Sequence, residues 1–129
     1  MEGTFTGVKW DEVEFGEVAG GGKLARASIL NRYEGGVDAD GALEYLLVYR
    51  AGRPVTFSGL ERVEAKSGGD GSFVLWHEGT FSSEDGVSGK VVVIDGMGTG
   101  RFASFTATGT ISSRPGEHHG TYVLVPQGK

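Results

Sequence analysis

Three ionisable residues lie within strand-like runs of apolar residues, where they could carry out acid–base chemistry together. They are Glu44, Glu61 and His77. A carboxylate beside an imidazole fixes the ring tautomer and makes the pair a proton donor or acceptor in a dry cavity. We therefore take Glu61 and His77 as candidate catalytic residues, with Glu44 one layer away. The alternative is a buried polar network that satisfies only its own hydrogen bonds, because buried charge is costly unless it is paired.

Other patterns that could carry chemistry are weak. His118 and His119 would point to opposite faces of a strand and have no evident third partner, so they are interpreted as a solvated turn and no metal site is expected. The absence of cysteine excludes thiolate zinc sites and a cysteine nucleophile. The glycine-rich segments 20–23 and 96–100 lack the pattern of a phosphate loop, and no Gly-x-Ser-x-Gly elbow occurs. We expect no cofactor.

The charge balance and the apolar runs exclude two classes of partner. A formal net charge of −5 opposes nucleic-acid binding, which requires a basic surface to neutralise phosphates. No run approaches the ~18 apolar residues of a membrane helix, so no membrane partner is expected. The N-terminal segment lacks the basic and apolar regions of a signal peptide, which predicts a cytoplasmic protein.

The elements that must position these residues are strands. Runs rich in Val, Phe, Tyr, Thr and Leu alternate with turn residues, and no segment holds a helical apolar stripe for three turns. The chain is predicted to form one all-β domain over residues 1–129, with little or no helix. Strands are expected near residues 3–13, 23–34, 37–50, 53–67, 71–83, 87–95, 101–112 and 119–126. The segment 14–22 is predicted to be a flexible loop over one mouth. Hairpins in series predict an eight-stranded antiparallel up-and-down barrel, because an open meander would expose two edges.

The turns predict which residues face each other across the hairpins. Two-residue turns at 35–36, 51–52 and 85–86 and a three-residue turn at 68–70 set the register. The resulting pairs include Ala27 with Glu44, Glu44 with Gly59, Glu61 with His77, and His77 with Ile94. The predicted inner face carries Glu44, Glu61 and His77 among the apolar residues Ala25, Ile29, Leu46, Val48, Phe57, Val63, Phe73, Leu75, Phe81, Val92 and Ile94.

The inner face predicts room for a ligand. Ala27, Gly59 and Gly79 form a ring too small to fill a core layer, and eight strands enclose a space that is either packed or holds one small molecule. We therefore expect a small, largely apolar ligand in the interior. The predicted ligand-binding residues are Glu44, Leu46, Phe57, Gly59, Phe73, Leu75, Gly79 and Ile94.

The predicted outer face is more apolar than a barrel exterior should be. It carries Tyr45, Leu47, Tyr49, Leu60 and Trp76. A subunit interface would cover such a patch, which predicts a homo-oligomer and in the first place a dimer. The alternative is a set of scattered residues that pack against Arg26 and Arg62, with Arg62 opposite Trp76 in a cation–π pair.

Several motifs resemble a bacterial family of unknown function, domain of unknown function 3224. The segments that carry the resemblance are Gly3-Thr4-Phe5-Thr6 with Trp10-Asp11-Glu12, Leu24-Ala25-Arg26-Ala27-Ser28, Glu44 to Tyr49, Phe57 to Val63, Gly71 to Phe81, and Gly98-Thr99-Gly100. The resemblance covers nearly the whole chain. It implies a fold similar to the allene oxide cyclase barrel, with an apolar cavity. Relatives with such a cavity close rings in fatty-acid or polyketide-like substrates. It brings no agreed catalytic residues.

Three functions from different classes remain open at this point. The barrel could be a cyclase or isomerase that shapes a carboxylic or carbonyl compound and donates a proton from Glu61 and His77. It could instead be a non-catalytic carrier or sensor in which the same groups orient a ligand. It could also be a structural or partner-binding subunit with a filled core. The presence of a cavity separates the third from the others, and turnover separates the first two.

Overall fold

The barrel expected from the sequence is present in the computed structural model, which describes residues 1–66 and 70–127. Its strands are β1 (Glu2–Val18), β2 (Gly22–Gly35), β3 (Ala39–Tyr49), β4 (Val55–Ala65), β5 (Ser72–Ser82), β6 (Gly86–Val93), β7 (Ala107–Ser113) and β8 (His119–Pro126). They pair antiparallel in chain order, and β1 closes the barrel on β8. One 3-10 turn at Gly100–Phe102 is the only helical element in the described part of the chain. No helix there is long and apolar enough to cross a membrane.

One end of the barrel is plugged by aromatic rings. The chain between β6 and β7 crosses this end and brings Phe102 and Phe105 against Phe73 of β5. The Phe73 ring centroid lies 4.8 Å from that of Phe102 and 5.3 Å from that of Phe105, which are distances of attractive aromatic contact. The interior is therefore closed at this end, and any opening must be at the other.

The opposite end is open because β1 is much longer than its partner on one side. β1 pairs with β8 only over Glu2–Thr6 but with β2 as far as Val18. A bulge at Val8 reverses the alternation of the strand, so Trp10 lies opposite the buried Ile29 and faces inward. The end of the β1–β2 hairpin thus extends beyond the part of β1 that pairs with β8 and forms one side of the cavity opening.

The loop predicted at 14–22 is wrong, because β1 continues through Val18 and only Ala19–Gly21 form the turn. Gly20 and Gly21 both have positive φ, at 91° and 87°, and this conformation lets the chain reverse within so few residues. Among the described residues the longest connection is instead 94–106, which closes the plugged end.

The register between β2 and β3 differs by one residue from the prediction. Ala27 faces Tyr45 rather than Glu44, because the turn is wider than Gly35-Gly36. Val37 turns back into the core, where its N–H donates to the hydroxyl of Tyr122 (2.9 Å). A one-residue slip moves every side chain of β3 to the other face. The inner residues of β3 are therefore Leu43, Tyr45 and Leu47, while Glu44, Leu46 and Val48 point outward.

A second one-residue difference between β3 and β4 cancels the first. The Arg53 N–H donates to the Arg50 carbonyl (3.2 Å) around the expected Ala51-Gly52 turn, but Pro54 then lengthens the loop because it has no N–H to give the ladder. Leu47 consequently faces Phe57. The predicted inner face of β4, which carries Phe57, Glu61 and Val63, is confirmed by the burial of all three residues.

The registers of the next two hairpins also differ from the prediction, one by an even and the other by an odd number of residues. Across β4 and β5 the register is shifted by two residues, so Glu61 faces Leu75 and His77 faces Gly59, yet both side chains stay inside. Gly68 and Gly69 of the predicted turn lie outside the described residues. Across β5 and β6 the shift is three, because the turn is Ser83–Asp85 rather than Asp85-Gly86, and His77 faces Val91 rather than Ile94. An odd shift exchanges the faces, so Val91 and Val93 are buried while Val92 is exposed.

The predicted outer patch changes its members for the same reason. Tyr45 and Leu47 are buried, and Tyr49 contributes to the cavity wall. Leu60 and Trp76 remain outside and face each other, with Val92 next in the row. Arg62 faces Val74 and not Trp76, so the predicted cation–π pair is wrong. An apolar outer row of Leu60, Trp76 and Val92 persists, and the homo-oligomer stays a prediction.

The small inner residues have a different purpose from the one expected. A Cβ at Gly59 would collide with the carbonyl oxygen of Glu44 on the neighbouring strand. A Cβ at Gly79 would collide with the carbonyl oxygen of Ser88 on the neighbouring strand and would lie 2.8 Å from Cζ of Phe57. The glycines therefore admit a neighbouring backbone and an aromatic ring, and the prediction that they border an empty space is wrong.

We predict that Gly59→Ala destabilises the protein by about 1–3 kcal/mol, because the added methyl group must push the β3 backbone away. Gly16→Ala is the matched control on another strand, since its Cβ would meet only Leu24 Cδ1 at 3.6 Å. Its effect should stay within about 0.5 kcal/mol. Urea denaturation measures both, and equal stability of the two variants would contradict the packing described for Gly59.

Candidate functional site

A cavity of about 560 Å³ opens at the unplugged end of the barrel. Its mouth lies between the second half of β1 and the β7–β8 turn. These two segments diverge beyond the hydrogen bond that the Gly7 N–H donates to the His118 carbonyl (2.7 Å). The apolar wall includes Phe5, Ile29, Phe57, Phe81, Val87 and Ile111. The inner polar end is formed by Asn31, Tyr33, Tyr45 and His77. This volume lies in the range of small-molecule sites.

The residues predicted from the sequence divide into four groups. Phe57 and His77 line the cavity, and Glu61 lies behind His77. Phe73 and Leu75 lie deeper in the core, beside a second void of about 10 Å³. Gly59 and Gly79 are covered by neighbouring atoms, as described above. Glu44 and Leu46 are exposed on the outer surface, so their predicted inner positions are wrong, while Ile94 is half-buried beyond the end of β6 and is not among the residues that line the cavity.

The centre of the polar end is the carboxylate of Glu61, whose side chain has no exposed surface. Its Oε1 accepts hydrogen bonds from the Tyr33 hydroxyl (2.5 Å) and lies 2.8 Å from Nε2 of His77. Its Oε2 accepts a hydrogen bond from Nδ2 of Asn31 (3.0 Å). Three donors thus replace the water that the carboxylate gave up on burial.

His77 connects this carboxylate to the cavity through Tyr45. Nδ1 of His77 lies 3.0 Å from the Tyr45 hydroxyl oxygen, while Nε2 faces Glu61. The two residues are neighbours across β4, because Tyr45 of β3 and His77 of β5 both lie directly opposite Gly59. The Phe57 ring packs against Tyr45 with a centroid distance of 4.6 Å and holds the phenol in place.

A second glycine makes room for the carboxylate. Gly41 of β3 lies opposite Asn31 and Val63, and a Cβ there would collide with Oε2 of Glu61. The carboxylate therefore reaches across β3 to the donors on β2. The hydrogen-bonded side chains of the network come from the four adjacent strands β2 to β5.

The phenols of this network stay protonated and can act as donors. Burial raises the pKa of Tyr33 well above its ordinary value, and the negative charge and hydrogen bond of Glu61 raise it further. Burial also raises the pKa of Tyr45, with the charge of Glu61 as the second cause. With Nε2 of His77 donating to Glu61, two states are possible at Nδ1. A neutral ring accepts from the Tyr45 hydroxyl, whereas a doubly protonated ring donates to it and frees the Tyr45 proton to face the cavity.

The mouth carries a second, more exposed polar cluster. Glu12 accepts hydrogen bonds from the Tyr49 hydroxyl (2.6 Å) and from Nε1 of Trp10 (3.0 Å). The Lys23 ammonium lies 4.6 Å from the centroid of the Tyr49 ring. This cluster joins β1 to β2 and β3 at the rim. His119 lies 3.2 Å from a Glu117 oxygen, and the part of the chain that is described contains no group of three potential metal ligands.

Sequence reasoning missed three of the residues that form the polar end. Asn31 and Tyr33 alternate with Ile29 on the buried face of β2, so continuing that alternation past Ile29 would have found them. The predicted two-residue turn at 35–36 places Tyr45 on the outside. The one signal against that assumption was the apolar face Leu43, Tyr45 and Leu47 itself, which suits a core better than a surface.

Comparisons with other proteins identify the family and the fold. A family model described as protein of unknown function (DUF3224) matches residues 1–124. The crystal structure of a protein of unknown function from the DUF3224 family of Shewanella oneidensis MR-1 superposes with a TM-score of 0.70 at 22% sequence identity, and the match covers 99% of this chain and 97% of that one. No curated protein matches the chain. The similarity to allene oxide cyclase inferred from the sequence stays an expectation.

We predict that the stability of the protein falls steeply above about pH 10. The chain has four tyrosines, and the pKa of each is raised, chiefly by burial. Above that pH the unfolded chain loses phenol protons that the folded chain keeps, so the unfolded state binds fewer protons and stability decreases as pH rises. Each buried tyrosine should contribute about 1.4 kcal/mol per pH unit. Urea denaturation at several pH values measures the slope.

Tyr33→Phe is the control for the alkaline prediction, because it removes one phenol and should reduce the slope. Tyrosinate absorbance in the near ultraviolet should appear only as the protein unfolds. Ionisation of all four phenols at about pH 10 in a chain that is still folded by circular dichroism would show that burial does not hold them protonated.

We also predict that Glu61→Leu destabilises the protein by about 3–5 kcal/mol, because it leaves the donors of Asn31, Tyr33 and His77 buried without an acceptor. Glu61→Gln keeps an oxygen in place of Oε1 and should cost less, about 1–3 kcal/mol. Urea denaturation at neutral pH compares the two variants. The network would have no stabilising role if the leucine variant were as stable as the native chain.

Proposed function

The chain belongs to the DUF3224 family of proteins of unknown function, and we propose that it binds a small, largely apolar ligand inside its barrel. The observation that carries this proposal is the open cavity of about 560 Å³, apolar along its walls and polar at its inner end and at its mouth. Sites for small molecules combine such apolar walls with a few placed polar groups, which fix the orientation of the ligand. The similarity to the crystal structure of the Shewanella oneidensis protein, at 22% identity, supports the fold alone.

The cavity argues against a barrel with a filled core. The side chains that could have filled the open end are Phe5, Phe57, Phe81 and Ile111, and all of them stand along its wall. The other end is packed by the aromatic rings around Phe73, so the same barrel contains both a filled half and an open half. A purely structural role accounts for the filled half but gives no reason for the opening.

A second candidate function is catalysis by proton donation, which the hydrogen-bonded chain from Tyr45 through His77 to Glu61 favours. Tyr45 would give its proton to an oxygen of the ligand, and Nδ1 of a doubly protonated His77 would replace that proton. The imidazole would end neutral, with Nε2–H still donating to Glu61. Cyclisation or isomerisation of a carbonyl compound is the reaction class that such a donor and a shaping cavity suit.

A carrier or sensor uses the same cavity without turnover. The polar end would then only orient the ligand, and Tyr45 would exchange a hydrogen bond with it rather than a proton. Conversion of a bound compound to a product of the same mass, detected by chromatography, distinguishes the isomerase from the carrier.

The homodimer and the cytoplasmic location remain parts of this proposal. The apolar outer row of Leu60, Trp76 and Val92 supports the dimer, because a single barrel leaves it in water. The lack of cysteine is compatible with a reducing compartment. Neither property is needed for the cavity to bind a ligand.

We predict that Val87→Trp abolishes binding of small apolar compounds, because Val87 lines the cavity and the larger side chain fills it. Val92→Trp is the matched control on the same strand, where the side chain points outward. Native mass spectrometry of freshly purified protein, followed by titration with Nile red, compares the two variants with the native chain. The native chain and Val92→Trp should bind, and Val87→Trp should not.

Two results would overturn the proposed function. One is a native chain that carries no small molecule after purification and leaves the emission of Nile red unchanged. The other is equal binding by Val87→Trp and Val92→Trp when circular dichroism shows both variants folded, because the dye would then occupy the surface.

A further inference from the structure

We propose that the polar end of the ligand is an uncharged carbonyl oxygen that accepts a hydrogen bond from Tyr45, as in a ketone, aldehyde or ester. This inference rests on the proposed function, because it names the chemistry of the ligand that the cavity would hold. The sequence predicts that Glu61 and His77 contact the ligand. We instead assign this contact to Tyr45, which the sequence predicts on the outer face.

Accessibility and the hydrogen bonds already made together select Tyr45 among the residues of the network. Glu61 is completely buried and His77 is 1% exposed, whereas Tyr45 and Asn31 are each 7% exposed and line the cavity. The Tyr33 hydroxyl already donates to Glu61, and so does Nδ2 of Asn31. Tyr45 is therefore the end of the hydrogen-bonded chain that reaches the cavity.

The charge of Glu61 argues against a carboxylate ligand at this position. The hydrogen-bond partners of Glu61 are an amide, a phenol and an imidazole, and neither arginine nor lysine contacts it within the described residues. A second carboxylate held by Tyr45 would lie one imidazole ring, one hydroxyl group and three hydrogen bonds away from the first. While the His77 ring is neutral, repulsion between like charges at such a separation in a protein interior weakens binding by about tenfold or more.

One of the two proton arrangements of His77 favours an acceptor over a donor. When both nitrogens of His77 carry protons, the imidazolium and Glu61 together have no net charge, and Nδ1–H donates to the oxygen of Tyr45. The Tyr45 proton then points into the cavity, where a carbonyl oxygen can accept it. An uncharged acceptor completes this chain and leaves the buried site neutral, which an ammonium group or a carboxylate would not do.

The test uses three dimethylaminonaphthalene dyes that share one skeleton and carry a propionyl, a carboxylate or an aminomethyl group. The propionyl dye is a ketone whose fluorescence shifts to the red when its carbonyl accepts a hydrogen bond. We expect the native chain to bind the ketone at least tenfold more tightly than either charged dye, with a red-shifted emission. Tyr45→Phe should weaken ketone binding about tenfold, the equivalent of one hydrogen bond, and shift the emission to the blue. Tyr122→Phe, which removes a phenol hydroxyl outside the cavity, is the control and should leave both readouts unchanged.

Glu61→Gln supplies an independent arm, because it removes the negative charge and keeps an oxygen facing His77. It should raise the affinity for the carboxylate dye several-fold relative to the affinity for the ketone dye. Equal or tighter binding of the carboxylate or the ammonium dye by the native chain would overturn the carbonyl inference while the cavity proposal stands. The same holds if Tyr45→Phe, folded by circular dichroism, retains the red-shifted emission. Failure of all three dyes and of Nile red to bind would overturn the proposed function itself.

Discussion

The carboxylate of Glu61 imposes the strictest requirement on the interior of this barrel. A buried charge costs several kcal/mol unless it is compensated, and each charge-assisted hydrogen bond returns about 1.5–3 kcal/mol. Asn31, Tyr33 and His77 supply three such bonds from strands on either side of β4. Because all three donors must converge within about 3 Å of two oxygen atoms, the registers of β2, β3, β4 and β5 are coupled through this one group.

Two glycines make that convergence possible. Gly41 leaves space for the carboxylate to reach across β3, and Gly59 admits the β3 backbone beside it, with Tyr45 and His77 as its two cross-strand partners. A Cβ at either position would occupy the place of an atom of Glu61 or of the neighbouring backbone. Small residues in a barrel thus have two different meanings: they can border an empty volume, or they can admit large side chains from adjacent strands. Here the second meaning applies, and the empty volume lies at the open end.

The sequence predicts the number and order of the strands well, because alternation of apolar residues survives errors of a few residues at each turn. The face to which a side chain points depends on whether the preceding turn has an even or an odd number of residues. This part of the prediction is weaker. At Gly35-Gly36 the burial of Val37 and its hydrogen bond to the Tyr122 hydroxyl widen the turn. No residue near the turn indicates that Val37 will bond to a side chain 85 residues away. Pro54 is a local signal that was available, and it explains why β4 returned to its predicted face. Glu61 and His77 share a face because a two-residue shift preserves it, although the direct pairing was wrong.

The placement of Tyr45 decides what the buried pair can do. With β3 in its predicted phase, Glu44 would have stood opposite Gly59, and a second carboxylate near Glu61 would have repelled it. In the observed phase a phenol stands there instead, so the chain of hydrogen bonds from Glu61 ends in a neutral group at the cavity wall. The negative charge is thereby kept away from the ligand, while its influence passes through His77 to the orientation of one hydroxyl proton. A barrel that needed only stability could have used apolar residues at these positions at similar or lower cost. The network is therefore better explained by the directed hydrogen bond that it offers to the cavity than by the free energy that it contributes to folding.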